Sequence, residues 1–260
     1  MKILLTMYSI RRMMEKDLYG ALEQAKLLGF DGIELAWYAG HPVETVRKAV
    51  KDLELDVWAC QTSMREMLAD ADRNFDDIAS LGARYAVICF LTAQERPGSD
   101  GFERTCHEVQ RLKQLAREKY GLTLLYHNHD FDFTRLPDGR YALDACYSGL
   151  DVGGELDTCW AELCGASTVE LLHKYHGRIP LMHIKDFRKN PAVSGPSSPA
   201  PGFEFCPLGW GETDFSAILK AAEACGTQGL VLELDEPGCQ KTELECVQLG
   251  LEHLKVLLGR

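Results

Sequence analysis

The stretch Leu122–Asp132, LTLLYHNHDFD, decides how this chain is read. Its first half is an apolar run of the kind that forms a buried strand. Its second half delivers a histidine pair, His127 and His129, two residues apart. Side chains alternate faces along a strand, so the spacing predicts that both imidazoles point to one side. Three later apolar runs end in a similar way. GGELDTCW carries Glu155 and Asp157, LMHIKD carries His183, Lys185 and Asp186, and LVLELDE carries Glu233 and Asp235. Histidines and carboxylates delivered from the ends of several strands are what a divalent metal site requires.

Outward from that stretch the chain alternates. Upstream, KILLTM (Lys2–Met7), GIELAW from Gly32, DVWACQTS and YAVICFL from Tyr85 read as four strands. The last is apolar throughout, as a strand buried on both faces is. Between them lie helical patterns at Lys16–Leu28, Pro42–Leu53 and Arg65–Leu81, with a fourth at Phe102–Tyr120. Gly29, Gly82 and Gly121 close three of them, and Pro42 opens one where a missing N–H costs nothing. Downstream, Arg135–Ser148 reads as irregular or briefly helical. Strands over GGELDTCW, Ile179–Lys185 and Gly229–Asp235 then alternate with helices at Ser167–His176, Asp214–Cys225 and Thr242–Leu258. Eight strands alternating with helices in one chain of 260 residues imply a single closed (β/α)8 TIM barrel spanning residues 1–260. An open doubly wound sheet is the other α/β arrangement, but no nucleotide-binding glycine fingerprint follows the first strand.

One connection is long. Residues 187–211, through KNPAVSGPSSPAPGFEFCPLGWG, are rich in Pro, Gly and Ser and follow the strand that carries His183. Long loops in compact domains tend to be lids or binding loops. Phe203, Phe205 and Trp210 would supply apolar surface to such a lid; a tolerated surface insertion is the plainer reading.

Bulk properties bound the function. The chain is 46% hydrophobic and 26% charged, with 28 basic and 39 acidic residues and a formal net charge of −11. That is the composition of a soluble globular protein, and its acidity disfavours nucleic acid as a partner. The opening MKILLTMYSIRRMM lacks the pattern of a secretory signal. No apolar run approaches the roughly 18 residues of a membrane span, so a cytoplasmic location is expected and no membrane partner. The ten cysteines show no CxxC spacing and read as reduced, mostly buried side chains.

In a parallel barrel the active site forms at the C-terminal ends of the strands. His127, Asp157, His183 and Glu233 all fall there, on strands five to eight. Two imidazoles and two carboxylates form a mixed nitrogen and oxygen site suited to Mn, Fe, Co or Zn. A structural layer of ion pairs around Lys185 is the competing reading. Each proposed ligand has a polar neighbour on its own face: Glu155, Lys185, Asp235 and His129, candidates for acid/base work or for orienting ligands. Glu34 also ends a strand, and a pairing with a nearby lysine is its alternative. His173 and His176 read as a solvated helix end, and His41, His107 and His253 as surface residues.

YHNHDFDF, ELDTCW, HIKDF, PLGWGETDF and VLELDEP, in this order, resemble the sugar phosphate isomerase/epimerase superfamily of xylose-isomerase-like barrels. The resemblance implies one divalent metal ion (Mn, Fe, Co, Zn or Mg) held by a Glu/Asp/His/Glu set. Asp157, His183 and Glu233 match the last three members. The first, often Glu, is His127 here, as in the histidine-rich strand of inosose dehydratases. A neighbouring position of the motif, commonly Glu, is Asp132. The implied activity is a metal-dependent sugar or polyol isomerase or epimerase acting by proton abstraction next to a carbonyl. Glu155, Glu233 and His129 are the candidates for moving the proton, and Lys185 for polarising an oxygen. Dehydratase or C-glycoside-cleaving lyases share the fold. So do apurinic endonucleases, which need more metal-binding histidines, and a metal-free sugar-binding protein is a further alternative. The expected partner is a small sugar or polyol, and the sequence is compatible with a homo-oligomer.

Overall fold

The computed structural model describes residues 1–195 and 198–260. Among them, eight parallel strands close into a barrel: β1 (Lys2–Thr6), β2 (Gly32–Leu35), β3 (Val57–Thr62), β4 (Tyr85–Ile88), β5 (Thr123–His127), β6 (Gly153–Asp157), β7 (Leu181–Ile184) and β10 (Gly229–Leu232). The first strand pairs with the last, β1 with β10, which completes the cylinder. Around it run α1 (Arg11–Lys16), α2 (Leu18–Leu28), α3 (Val43–Asp52), α4 (Met64–Ala69), α5 (Ala71–Ser80) and α6 (Phe102–Tyr120). The outer layer continues with α7 (Ala142–Gly149), α8 (Thr158–Leu163), α9 (Thr168–Lys174), α10 (Phe215–Ala224) and α11 (Glu243–Leu257).

Two apolar layers hold the barrel. One lies inside its lower half, where Leu4, Trp58, Tyr85, Val87, Leu125, Leu181 and Val231 pack together. The other, much larger, lies between strands and helices and includes Ile3, Leu5, Ile33, Ile88, Leu124, Tyr126, Met182, Ile184 and Leu230. Period two then fixes what comes next on the inner face. Two residues past Leu125, Leu181 and Val231 come His127, His183 and Glu233, so the same alternation that fills the lower barrel fills its upper end with polar groups. Register aligns them: His127 lies opposite Glu155 and Asp157 opposite His183. On β6, Gly154 admits the Tyr147 hydroxyl and Ile179 where a Cβ would collide with both.

The structure departs from the sequence reading in several places. The helix expected at Arg65–Leu81 is two helices, broken at Asp70, whose carboxylate caps the second by accepting from Arg73 N. The strand expected over GGELDTCW stops at Asp157, and TCW opens α8 because Asp157 caps that helix. The fifth strand stops at His127, and residues 130–133 form a 3-10 turn. Residues 8–15, not assigned from sequence, form with Met7 and Lys16 a 3-10 turn (Met7–Ile10) and α1, so the first strand ends at Thr6. The 187–211 connection, of which residues 196 and 197 lie outside the described residues, is not a plain loop. Its ends pair as an antiparallel hairpin of β8 (Asp186–Lys189) and β9 (Phe203–Cys206). Phe187 and Phe205 are buried against Cys159, Leu234 and Cys246, whereas Trp210 is exposed. The aromatic residues at the hairpin base are thus core, not a free closing surface.

Candidate functional site

His183 is the hub of the upper barrel. It is fully buried, and both ring nitrogens meet carboxylates. Nδ1 lies 2.7 Å from Glu233 Oε2. Nε2 lies 3.0 Å from Glu34 Oε1 and 3.2 Å from Glu155 Oε2. Gln61 Nε2 donates to Glu34 Oε1 at 3.0 Å and to Glu155 Oε2 at 3.1 Å, holding the two carboxylates side by side. Burial and the adjacent Glu155 push the Glu34 carboxyl up to about 8, so near neutral pH it keeps its proton. Burial opposes charge on His183, yet Glu155, Glu34 and Glu233 together hold its pKa well above the usual histidine range.

Lys185 forms the second cluster. Its Nζ, almost wholly buried, lies 2.7 Å from Glu233 Oε2, 2.8 Å from Asp235 Oδ2 and 3.1 Å from Asp157 Oδ2. Burial disfavours the ammonium, but Asp157, Asp235 and Glu233 keep its pKa well above the ordinary lysine value. Burial likewise works against ionising Glu233, and Lys185 and His183 outweigh it, holding that carboxylate well below its usual range. The ion-pair layer considered from sequence therefore exists, and it shares its residues with the metal-ligand candidates. Asp157 is divided between roles: Oδ1 accepts from Trp160 N at 3.0 Å as the α8 cap, while Oδ2 faces Lys185.

The histidine pair sits beside this centre. The His127 ring lies 4.5 Å from that of His183 and 5.0 Å from that of His129. His129 lies beyond the strand end, so the turn places it, not strand alternation. Asp132 fixes that turn by accepting from His129 N at 2.8 Å and from the Tyr126 hydroxyl at 2.9 Å. Burial, and secondarily His183, pushes His127 down to about 4. Burial and His127 hold His129 well below its ordinary value. Both imidazoles are therefore neutral near pH 7 and can accept a proton or bind a cation.

A cleft of about 550 Å³ opens over this floor. His127, His129, Lys185, Glu233 and Asp235 reach it, with walls from Tyr8, Trp37, Phe90 and Trp160. Glu155, Asp157, His183 and Glu34 do not line it but lie behind, in the barrel. Arg11 and Glu15 stand at its edge. The Arg11 guanidinium is committed to Glu236 at 2.6 Å and lies 4.5 Å over the Tyr8 ring.

Among the described residues, those that could hold a cation form two groups sharing His183: His127 with Glu155 and His183, and Asp157 with His183 and Glu233. No one group holds all four ligands proposed from sequence: His127 falls with Glu155, and Asp157 with Glu233. The donors fit a divalent ion of the first transition row. The charge balance fits too. Carboxyl groups outnumber cationic ones here: Glu34, Glu155, Asp157, Glu233 and Asp235 face only Lys185 and His183, and a buried carboxylate without a compensating cation is costly. Several buried atoms lack hydrogen-bond partners, among them His127 Nδ1, Glu155 Oε1 and Glu34 Oε2.

Sequence reasoning undervalued Glu34 and missed Gln61. Glu34 has no lysine partner among the described residues; it meets His183. Its one legible signal was a carboxylate inside an apolar strand. Gln61 lies in DVWACQTS at the matching inward position, but a neutral amide draws no attention. His173 and His176 are remote from this site: His173 is the C-terminal residue but one of α9 and contacts Cys225.

A closed parallel barrel with histidines and carboxylates on its C-terminal rim, beneath an aromatic cleft, defines the class. The profile of the xylose isomerase-like TIM barrel family matches residues 22–255, and the chain belongs to that family. Inosose dehydratase of Clostridium botulinum (strain Alaska E43 / Type E3) is 23% identical over 269 positions, covering 90% of this chain and 88% of its own. A sugar phosphate isomerase/epimerase from Parabacteroides distasonis superposes with a TM-score of 0.77 at 21% identity, covering 98% of both chains. The IOLI protein, solved with a binding zinc atom, superposes with a TM-score of 0.73 at 18% identity, covering 100% of this chain and 98% of its own. No helix among the described residues is long and apolar enough to cross a membrane.

Proposed function

We propose that this protein is a divalent-metal-dependent isomerase or epimerase of a neutral sugar or polyol, abstracting a proton next to a carbonyl. The observation that carries the reading is His183, with Glu233 on one ring nitrogen and Glu34 and Glu155 on the other. A ligating histidine commonly donates its second N–H to a carboxylate that orients it. Asp157, His183 through Nδ1, and Glu233 would hold the ion, and Glu34, Glu155 and Gln61 would orient His183 from behind; His127, which groups with Glu155 and His183, would have to turn toward the ion to serve as the fourth ligand. A bound dication would supply Lewis acidity to a substrate oxygen.

The rest is the work of the chain itself. His129 faces the cleft in the neutral form that a proton acceptor needs, with its basicity weakened by burial, and Glu233 is an ionised alternative at the floor. Lys185 would reach an oxygen that gains charge only by releasing one of its three carboxylates, of which Asp235 is the most exposed. Glu155, lying behind the cleft, serves better in orienting His183 than in touching substrate. Tyr8, Trp37, Phe90 and Trp160 would exclude water and pack on the C–H face of a ring. The cleft cations Arg11 and Lys185 are each engaged by carboxylates, leaving no partner for a phosphate dianion, which supports an unphosphorylated substrate. Dehydration, with loss of a β-hydroxyl, is the second reading, favoured by the similarity to an inosose dehydratase.

The test is elemental analysis of the purified protein beside His183→Ala, followed by solvent-deuterium exchange over neutral ketoses and inososes. About one metal per chain, lost in the variant, and exchange at carbon next to the carbonyl are expected. A product lighter by one water would select dehydration. A protein that holds no metal and takes up none on titration is not this enzyme.

A further inference from the structure

Away from the proposed site chemistry, a thiol pair stands in the connection between β10 and α11. Cys239 Sγ lies 3.6 Å from Cys246 Sγ. Cys239 is partly exposed in the loop, and Cys246 is buried in the first turns of α11. The local fold aims them at each other. Thr242 caps α11 by accepting from Glu245 N, and Glu245 returns to Thr242 N, which fixes the helix start. Helical side chains lean toward the N-terminus, so Cys246 points back at the loop that carries Cys239. Gly238, at φ +58°, packs against the Phe205 carbonyl where a Cβ would collide, and so sets the height of Cys239 over the helix.

We propose that Cys239 and Cys246 are a modification site: a dithiol that closes reversibly to an intrachain disulfide by exchange with a low-molecular-weight disulfide. The separation must shorten to about 2.05 Å, within reach of a side-chain rotation at the loop cysteine. Cys239, the accessible member, attacks one sulfur of the small disulfide as thiolate and expels one thiolate. The Cys246 sulfur, after losing its proton to solvent, then attacks Cys239 of the mixed disulfide and expels the second. Two protein thiols are oxidised and one small disulfide is reduced to two thiols. Burial and the neighbouring Cys239 push Cys246 up to about 12, which fits a resolving rather than an attacking thiol. The closed bridge would fasten to α11 the loop that begins at Glu233 and Asp235.

The experiment uses the full chain as Cys164→Ser, which removes the most exposed thiol and leaves nine of the ten cysteines. The reduced protein is equilibrated with glutathione disulfide, quenched with acid, denatured and alkylated. The expected result is two fewer alkylated thiols, a mass lower by two hydrogens before alkylation, a cross-link mapped to Cys239 and Cys246, and full reversal by dithiothreitol. With Cys246→Ser added, Cys239 should instead retain a glutathione adduct. Nine thiols persisting across the titration, a cross-link between other cysteines, or a stable adduct on Cys239 with Cys246 intact would each overturn the proposal. None of these readouts depends on metal or turnover.

Discussion

Uptake of a divalent cation at His183 should release one proton. In the metal-free protein both ring nitrogens of His183 meet carboxylates, and the three glutamates hold its pKa well above the ordinary histidine value. A ligand must be neutral at the coordinating nitrogen, so a cation displaces the Nδ1 proton now shared with Glu233. The other proposed ligands with resolved shifts add nothing above pH 5.5, because His127 is already neutral and Glu233 already ionised there. The sign follows: protons compete with metal below the raised pKa, so affinity rises with pH. One proton displaced is tenfold in the dissociation constant per pH unit, about 1.4 kcal/mol. From pH 5.5 to 7.5 the constant for Mn²⁺ or Co²⁺ should fall about 100-fold, or ~2.7 kcal/mol. Isothermal titration in buffers of different ionisation enthalpy reads the protons released directly. A flat affinity over that window, with no proton released, would refute the assignment of Nδ1 as a ligand.

Other expectations follow from the same geometry. Lys185→Met removes the ammonium that shares Asp157 and Glu233 with the cation. It should tighten metal binding by about tenfold while lowering metal-free stability by roughly 3 kcal/mol, read by titration and denaturant melts. Glu34 has its carboxyl raised to about 8 from 4.5, so its stabilisation is full below pH 4.5 and is lost as pH rises through 8. The stability difference between wild type and Glu34→Gln should therefore shift against the wild type by on the order of 1 kcal/mol per pH unit across that window, and a constant difference would remove Glu34 as the titrating group. Tyr126→Phe should cost about 1 kcal/mol by removing a donor to Asp132. Asp132→Ala should cost more, about 2 to 4 kcal/mol, and should lower kcat with metal content unchanged, because His129 loses its anchor. Gly154→Ala should fail to fold or melt far earlier, since its Cβ would overlap Tyr147 and Ile179.

The barrel was legible because its strands are apolar runs at regular intervals and its helices end on glycines, features that local sterics fix. The breaks were less legible because each depends on one side chain acting as a cap. Asp70 divides one expected helix, and Asp157 ends an expected strand. The hairpin of β8 and β9 escaped notice because its two strands are short and separated by a Pro, Gly and Ser-rich connection. At the candidate site, the residues that stand out by chemistry, His127, His129, His183, Lys185, Asp157 and Glu233, were singled out from strand-end positions. Which of them face the cleft and which lie behind it could not be found that way. That division depends on register between strands distant in sequence, as when β7 sets His183 beside Asp157.

The two oxygens of Asp157 bear on how this family's sequences should be interpreted. One is committed to the start of α8 and only the other faces the centre. A descendant that lost its cation would still need the cap, so purifying selection on folding alone would preserve an aspartate there. Its persistence in a relative is therefore poor testimony to retained chemistry. His183 caps no helix, and both its ring nitrogens face site carboxylates. Its replacement would be the earlier mark of a lineage that had abandoned the reaction while keeping the barrel.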